Sequence, residues 1–158
     1  MKKTSEKSLE EAVHASYDDM RHLRGISDVR LDVDIQSDAP FASDRFRVST
    51  ILNNLISNAI KYHDPQKSEH FVKVEGQISA EVARLSFRDN GIGIDPKFHE
   101  NLFKMFFRAS HQSFGSGLGL YIVKEMMDKL DGNIQFESAP GVGTTFHIEI
   151  RNHFDMNS

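Results

Sequence analysis

Cysteine is missing from the 158 residues. Its absence excludes disulfide staples, thiolate zinc sites and cysteine nucleophiles together. No stretch approaches the ~18 consecutive apolar residues that a membrane span needs. The opening Met1-Lys2-Lys3-Thr4-Ser5-Glu6-Lys7 carries charge with no apolar run behind it, so it does not read as a signal peptide. Excess positive charge is lacking too: 19 Lys and Arg stand against 23 Asp and Glu, a net charge of −4. That balance gives no global pull toward nucleic acid or anionic lipid. Eight histidines are present, but they form neither H-x-H nor H-E-x-x-H, and His63 and His70, which flank a polar loop, are expected to be solvated. Repeats and low-complexity segments are absent.

What remains is ordinary for one globular domain of cytoplasmic character, with 39% hydrophobic and 27% charged residues. Residues 1–7 read as a linker, 8–151 as the domain and 152–158 as a tail. Ser8-Leu9-Glu10-Glu11 reads as a capping box, after which Leu9, Val13, Ser16, Tyr17 and Met20 share a helical face and Gly25 is a plausible stop. Residues 30–35 alternate, with Leu31, Val33 and Ile35 on one side of a half-buried strand. A second helix is expected over 44–62, its apolar arc formed by Val48, Ile51, Leu52, Leu55 and Ala59. Strands are expected at 71–79 and 82–89, a short helix with an aromatic cluster within 97–113, a helix to about Leu130, and strands at 133–138 and 144–150. Helices with mostly antiparallel strands point to an α/β (α+β) two-layer sandwich, a sheet with one face covered by helices.

Four features rise above this background. Asn53, Asn54 and Asn58 interrupt a good helix, where Asn competes for backbone hydrogen bonds. Asn54, Asn58 and Lys61 share a face beside the apolar arc. They read either as a polar helix rim or as a magnesium and phosphate site, because a neutral amide oxygen completes an octahedral shell without overcharging a polyphosphate complex. Asp89-Asn90-Gly91-Ile92-Gly93 is first a turn signal. Alternatively, Asp89 offers an acceptor to an exocyclic amine such as adenine's, and the glycines let a planar base approach the backbone. Gly115-Ser116-Gly117-Leu118-Gly119-Leu120 precedes a helix, whose N-terminus is a ready anion site. It matches neither a Walker A loop nor G-x-G-x-x-G. Phe103-Lys104-Met105-Phe106-Phe107-Arg108 reads as core, or as a lid anchor from which the Arg108 fork reaches a phosphate.

In this order, with Gly143-Thr144-Thr145-Phe146 closing the series, the four features resemble the ATP-binding catalytic domain of sensor histidine kinases. That domain has the Bergerat fold, shared with gyrase, Hsp90-type chaperones and MutL-type proteins, and the resemblance runs from about Ser8 to Arg151. Asn54 to Tyr62 is similar to the N box, Asp89 to Ile94 to the G1 box, Phe103 to Arg108 to the F box, and Gly115 to Leu120 to the G2 box. The resemblance implies a mixed, mostly antiparallel sheet covered on one face by three helices, with ATP and Mg2+ as cofactors. Asn58 would hold the nucleotide's magnesium with help from Asn54. Lys61 and Arg108 would contact phosphate, Tyr62 would pack near adenine, and Asp89 would accept the adenine amine with Thr144 in support. Gly115, Gly117 and Gly119 would form the phosphate side of a mobile lid. Gly91, Gly93, Ile94, Phe103, Ser116, Leu118 and Leu120 would also belong to the ATP-binding set. Ser116 stands where many members have Thr, and Met105 replaces a common proline.

The family's phosphoacceptor is a His followed by an acidic residue and an Arg. Here His14 is followed by Ala15-Ser16 and His22 by Leu23-Arg24, so neither matches. The expectation is therefore a monomeric piece of a longer, homodimeric kinase, cytoplasmic whether or not that kinase is anchored to a membrane. It would donate the γ-phosphoryl group to a separate dimerisation hairpin, upstream of a response-regulator receiver domain, with no nucleic-acid partner. The alternatives are a catalytically silent nucleotide-binding module, which the complete set of boxes disfavours, and another Bergerat-fold ATPase or serine kinase.

Overall fold

Hydrophobic alternation along five segments builds a single mixed sheet, which the computed structural model describes within residues 6–24, 28–105 and 118–154. The strands are β1 (Val29–Ser37), β2 (His70–Ile78), β3 (Val82–Asp89), β4 (Asn133–Ala139) and β5 (Gly143–Arg151). Their spatial order is β1-β2-β3-β5-β4. The β1–β2 pair is parallel and the other three pairs are antiparallel. A parallel pair needs a crossover, and helix α2 (Arg45–Lys61) supplies it. Helices α1 (Glu6–Arg24) and α3 (Gly119–Lys129) flank α2, and a 3-10 helix spans Pro96–Asn101.

Because side chains alternate along a strand, the register sets whole rows on one face. Phe87, Phe146 and Phe136 lie side by side, as do Leu85, Ile148 and Ile134, and these rows meet the helices. The opposite face carries Arg84 paired with Glu149 at 3.3 Å and His147 with Glu137 at 3.1 Å. One face is dry and helix-covered, the other polar and open.

Helix α2 begins where the Asp44 side chain accepts the Arg47 amide at 3.1 Å, satisfying one of the helix's orphan donors. That hydrogen bond, helped by the Arg47 guanidinium, holds the Asp44 carboxyl below its ordinary range against some opposing desolvation. The expected arc is buried, and so are Ile56 and Ile60. Both lie outside that arc because α2 sits between α1 and α3 as well as against the sheet, so more of its circumference is dry.

The start of α1 differs from expectation. The helix starts at Glu6, so Ser8 lies within it rather than at its cap. Glu6 and Lys7 are good helix formers and extend the first turn. The expected stop, Gly25, lies outside the described residues. At the other end, Asn152 follows the last strand and is 7% exposed. Its side chain accepts the Ala42 amide at 3.0 Å and donates to the Pro40 and Ser79 carbonyls at 2.8 and 2.9 Å.

His63 and His70 are half-buried rather than solvated. His63 Nδ1 lies 2.8 Å from the Ile60 carbonyl and His70 Nε2 2.6 Å from the Asp64 carbonyl, and the two rings meet edge to face at 5.0 Å. The loop between α2 and β2 folds back on itself, and its two imidazoles add side-chain contacts to carbonyls that already accept backbone amides.

Candidate functional site

The two-residue period that buries Phe87 also points Asp89, the last residue of β3, to the helix-covered face. Its Oδ1 accepts the Gly91 amide at 2.9 Å and the Thr144 amide at 3.2 Å. Its Oδ2 accepts no hydrogen bond among the described residues. Burial pushes the carboxyl up to about 6, against the lowering pull of those two amides and of the Lys67 ammonium. A carboxylate held by one oxygen with the other unengaged is an acceptor aimed at a donor group.

Thr144 supports Asp89 through its backbone amide, while its hydroxyl sits 2.8 Å from Ser138 Oγ. Ser138 in turn donates to the Gly143 carbonyl at 3.1 Å and accepts the Ile94 amide at 2.8 Å. Ile94 is thereby tied to β4 at its backbone. Ser138 was not anticipated, although a polar residue at an inward position after Ile134 and Phe136 is a legible signal.

Gly91 and Gly93 are needed for packing as well. A Cβ on Gly91 would stand 2.3 Å from the Tyr62 carbonyl oxygen, and one on Gly93, at φ +74°, 2.0 Å from the Ala139 carbonyl oxygen. The space a side chain would take at either position is filled by the protein's own backbone, and glycine there lets the loop after β3 close onto α2 and β4. The Ile92 amide donates to the Tyr62 carbonyl at 2.9 Å and the Gly141 amide to the Ile92 carbonyl at 2.9 Å.

That closure brings the C-terminal end of α2 beside Asp89. Lys61 Nζ lies 5.2 Å from the Tyr62 ring centroid. One turn back along α2 stands Asn58, half-buried, with a side-chain amide that has no hydrogen-bond partner among the described residues. One turn further, Asn54 donates to the Thr50 carbonyl at 2.8 Å, and its Oδ1 would lie 3.1 Å from a Cβ on Gly119. Asn54 therefore faces the N-terminus of α3, whose cap residue Leu118 contributes no side-chain hydrogen bond. Gly119 and Leu120 form the first helical turn of α3, which begins two residues earlier than Tyr121. Asn53 diverges from its neighbours and accepts the Ser16 hydroxyl from α1.

Phe103 packs edge to face on Phe136 at 5.8 Å and belongs with the core. It anchors the segment that follows the 3-10 helix, while Met105 is exposed. Arg108, Gly115, Ser116 and Gly117 lie outside the described residues. Two further residues contribute, Lys67 without any sequence signal and Asn90 from within the Asp89 to Ile94 motif. Lys67 donates to the Asn90 carbonyl at 2.8 Å and to the Val142 carbonyl at 3.1 Å. Asn90 accepts the Phe71 amide and donates to the Glu69 carbonyl at 3.0 and 2.8 Å.

The donor set fits a nucleotide. A carboxylate acceptor stands at one end, an amide with no partner among the described residues lies on α2, and a helix N-terminus suited to anions faces the same row. Asn58 Oδ1 is a hard neutral oxygen, the kind that joins water and substrate phosphates around Mg2+.

Residues 43–153 match the family model described as histidine kinase-, DNA gyrase B- and HSP90-like ATPase. The chain is 37% identical over 127 residues to the sensor-like histidine kinase SenX3 of Mycobacterium tuberculosis, covering 75% of this chain and 30% of that protein. It is 32% identical over 143 residues to the signal transduction histidine-protein kinase BarA of Escherichia coli, covering 86% of this chain and 15% of that protein. The chain thus spans under a third of the length of these curated relatives. Among solved structures, the mycobacterial sensor histidine kinase MprB superposes with a TM-score of 0.75 at 30% identity, over 91% of this chain and 95% of that one. The nucleotide-free catalytic domain of the histidine kinase ThkA superposes with a TM-score of 0.73 at 26% identity, over 96% and 97%. The chain belongs to the histidine kinase-, DNA gyrase B- and HSP90-like ATPase family and is an ATP-binding domain of the Bergerat fold, of the type found in sensor histidine kinases.

Proposed function

We propose that this chain binds ATP with Mg2+ and serves as the catalytic half of a sensor histidine kinase, presenting the γ-phosphoryl group to a histidine on a helical hairpin. The observation that carries the reading is one continuous row. Asp89 is linked through Gly91 to Tyr62, and Asn58 and Asn54 follow at one-turn intervals until Gly119 is reached. Eight residues of α2 span about 12 Å, a distance that a ribose and a phosphate chain bridge. Adenine's amine donates to Asp89, Tyr62 lies beside the base, and Asn58 holds the metal with Asn54 behind it. Lys61 lies on the phosphate side, and Gly119 and Leu120 begin the anion-binding helix end. Arg108 and Gly115 to Gly117 complete that side in the same reading. The metal neutralises the charge of the phosphate chain, while the protein contributes position and electrostatic complementarity. The parent kinase, its dimerisation hairpin, its receiver-domain partner and its anchoring to a membrane belong to this proposal. No described helix is long and apolar enough to cross a membrane.

Calorimetry on two variants tests both ends of the row. Asp89→Ala loses a hydrogen bond to a charged acceptor, a loss of ~1.5–3 kcal/mol, so ATP affinity falls about 10- to 100-fold in the presence or absence of Mg2+. Asn58→Ala binds ATP more weakly only when Mg2+ is present. Undiminished affinity in the first variant, or an unchanged response to chelator in the second, overturns the corresponding assignment.

A further inference from the structure

Lys67 belongs to none of the motifs, yet it joins three loops at the base end of the cleft. It is held in place by a turn in which its amide donates to the Asp64 carbonyl at 3.1 Å and the Gln66 amide to Asp64 Oδ1 at 3.0 Å. From there the ammonium reaches the Asn90 carbonyl at the end of β3 and the Val142 carbonyl at the tip of the β4–β5 turn. Val142 is only two residues before Thr144, whose amide holds Asp89. Moving the hairpin tip moves that donor.

The charge of Lys67 draws the Asp89 carboxyl down against its burial, while Lys61, the cation at the end of α2, has its Nζ over the Tyr62 ring. The neighbouring charged residues Lys73, Arg88 and Glu137 fall on the open face of the sheet by the two-residue period. Of the loop's other titratable groups, His63 is turned to the Ile60 carbonyl, Asp64 to the Gln66 amide and His70 to the Asp64 carbonyl, and Glu69 is exposed. Lys67 is the ammonium that counters the desolvation of Asp89.

We propose that Lys67 is a specificity-determining positioning residue for the base, fixing the hairpin tip against β3 and holding Asp89 as an acceptor that selects an exocyclic amine over a carbonyl. The inference rests on the ATP reading above. An ionised Asp89 can only accept, so it takes the amine of adenine and rejects the O6 carbonyl of hypoxanthine. A protonated Asp89 offers an O–H donor and accommodates the carbonyl. Removing the ammonium favours the protonated form, and discrimination between the two bases falls.

Dissociation constants of ADP and IDP, which differ at C6 (amine against carbonyl) and consequently at N1 (acceptor against N–H donor), are measured from pH 5.5 to 8.5 for the wild type, Lys67→Met, Lys67→Arg and Asp89→Asn. In Lys67→Met, ADP binding weakens about tenfold at pH 6.5, the acid-side loss of affinity begins at higher pH, and the ADP-to-IDP preference shrinks several-fold. Lys67→Arg restores the preference and the profile. If Lys67→Met melts below the assay temperature, Lys67→Gln, which keeps one staple donor without the charge, must show the same shift in profile. A neutral variant with the wild-type preference and the wild-type acid limb overturns the proposal. Asp89→Asn separates the two levels. If it binds ADP normally, the adenine assignment of Asp89 falls; if it loses ADP while Lys67→Met is indifferent, the role of Lys67 alone falls.

Discussion

Asp89 carries opposing demands in the proposed site. Accepting from an amine is strongest for the carboxylate form, while burial favours the neutral one and lifts the group to about 6. The folded chain therefore holds a proton that the unfolded chain releases once the pH exceeds the ordinary value of 3.8. The stabilising contribution of that proton is complete below about pH 4 and is lost as the pH rises through about 6. At neutral pH the site holds a desolvated charge at the expense of stability, as functional sites often do. Asp89→Asn keeps the acceptor for the Gly91 and Thr144 amides and removes that charge. It should raise stability at pH 7.5 by about 1–2 kcal/mol, a few degrees in Tm for a domain of this size. The gain should disappear by pH 4 as the wild-type carboxyl protonates. Thermal melts of both proteins across that range check it, and a gain that persists at pH 4 would assign the effect to packing rather than charge. The residue was legible in the sequence because a lone Asp ends an apolar strand before Asn-Gly. Lys67 was not, because its contacts at Asn90 and Val142 lie 23 and 75 residues away and leave no local pattern.

At the scale of elements, the strands were the easiest to read. Alternation fixed the span Val82–Asp89 to the residue and placed its Asp on the core side, because a period of two leaves no other choice. The helix faces were read less fully. The apolar arc of α2 omits Ile56 and Ile60, whose burial depends on which elements flank the helix, a fact outside the helix's own sequence. The glycines of the loop after β3 were recognised as necessary but their packing was not, since a sequence cannot say whether a missing Cβ makes room for a base or for the next loop. The structure supplies a controlled comparison. Gly93 and Gly141 share φ values of +74° and +76°, but a Cβ on Gly93 would strike the Ala139 carbonyl while one on Gly141 meets nothing within 4 Å. Gly141→Ala should cost only the backbone term, ~1–2 kcal/mol. Gly93→Ala adds a steric clash that forces the β3 loop away from β4, so its urea midpoint should fall further. The Ile94–Ser138 hydrogen bond should be lost with it, seen as faster exchange of the Ile94 amide. Equal midpoints for the two variants would mean the loop yields without strain.

Across the whole molecule, the layers decide which histidines can take part in chemistry. His14 lies on the exposed side of α1. That helix is fastened on its other side by Leu9 and Val13 in the core, by the Tyr17 hydroxyl donating to the Val29 carbonyl, and by the Ser16 hydroxyl donating to Asn53. Asn54 and Asn58 occupy a different side of α2 from Asn53, the side that faces α3. The α1 layer and the row of Asn54 and Asn58 are thus on separate flanks of the central helix. Phosphoryl transfer requires an in-line approach of the nucleophile to the phosphorus, and almost all of its catalysis is positioning and charge stabilisation. A histidine fixed on the α1 flank cannot make that approach without unpacking the helix. The chain alone, incubated with γ-labelled ATP and Mg2+, should therefore bind nucleotide but acquire no acid-labile phosphate. Adding a separate hairpin that carries a phosphoacceptor histidine should allow the label to appear on the hairpin. Acid-labile label on His14 or His22 of the isolated chain would show that α1 leaves its place, and the two-flank arrangement would then fail as an account of where the acceptor enters.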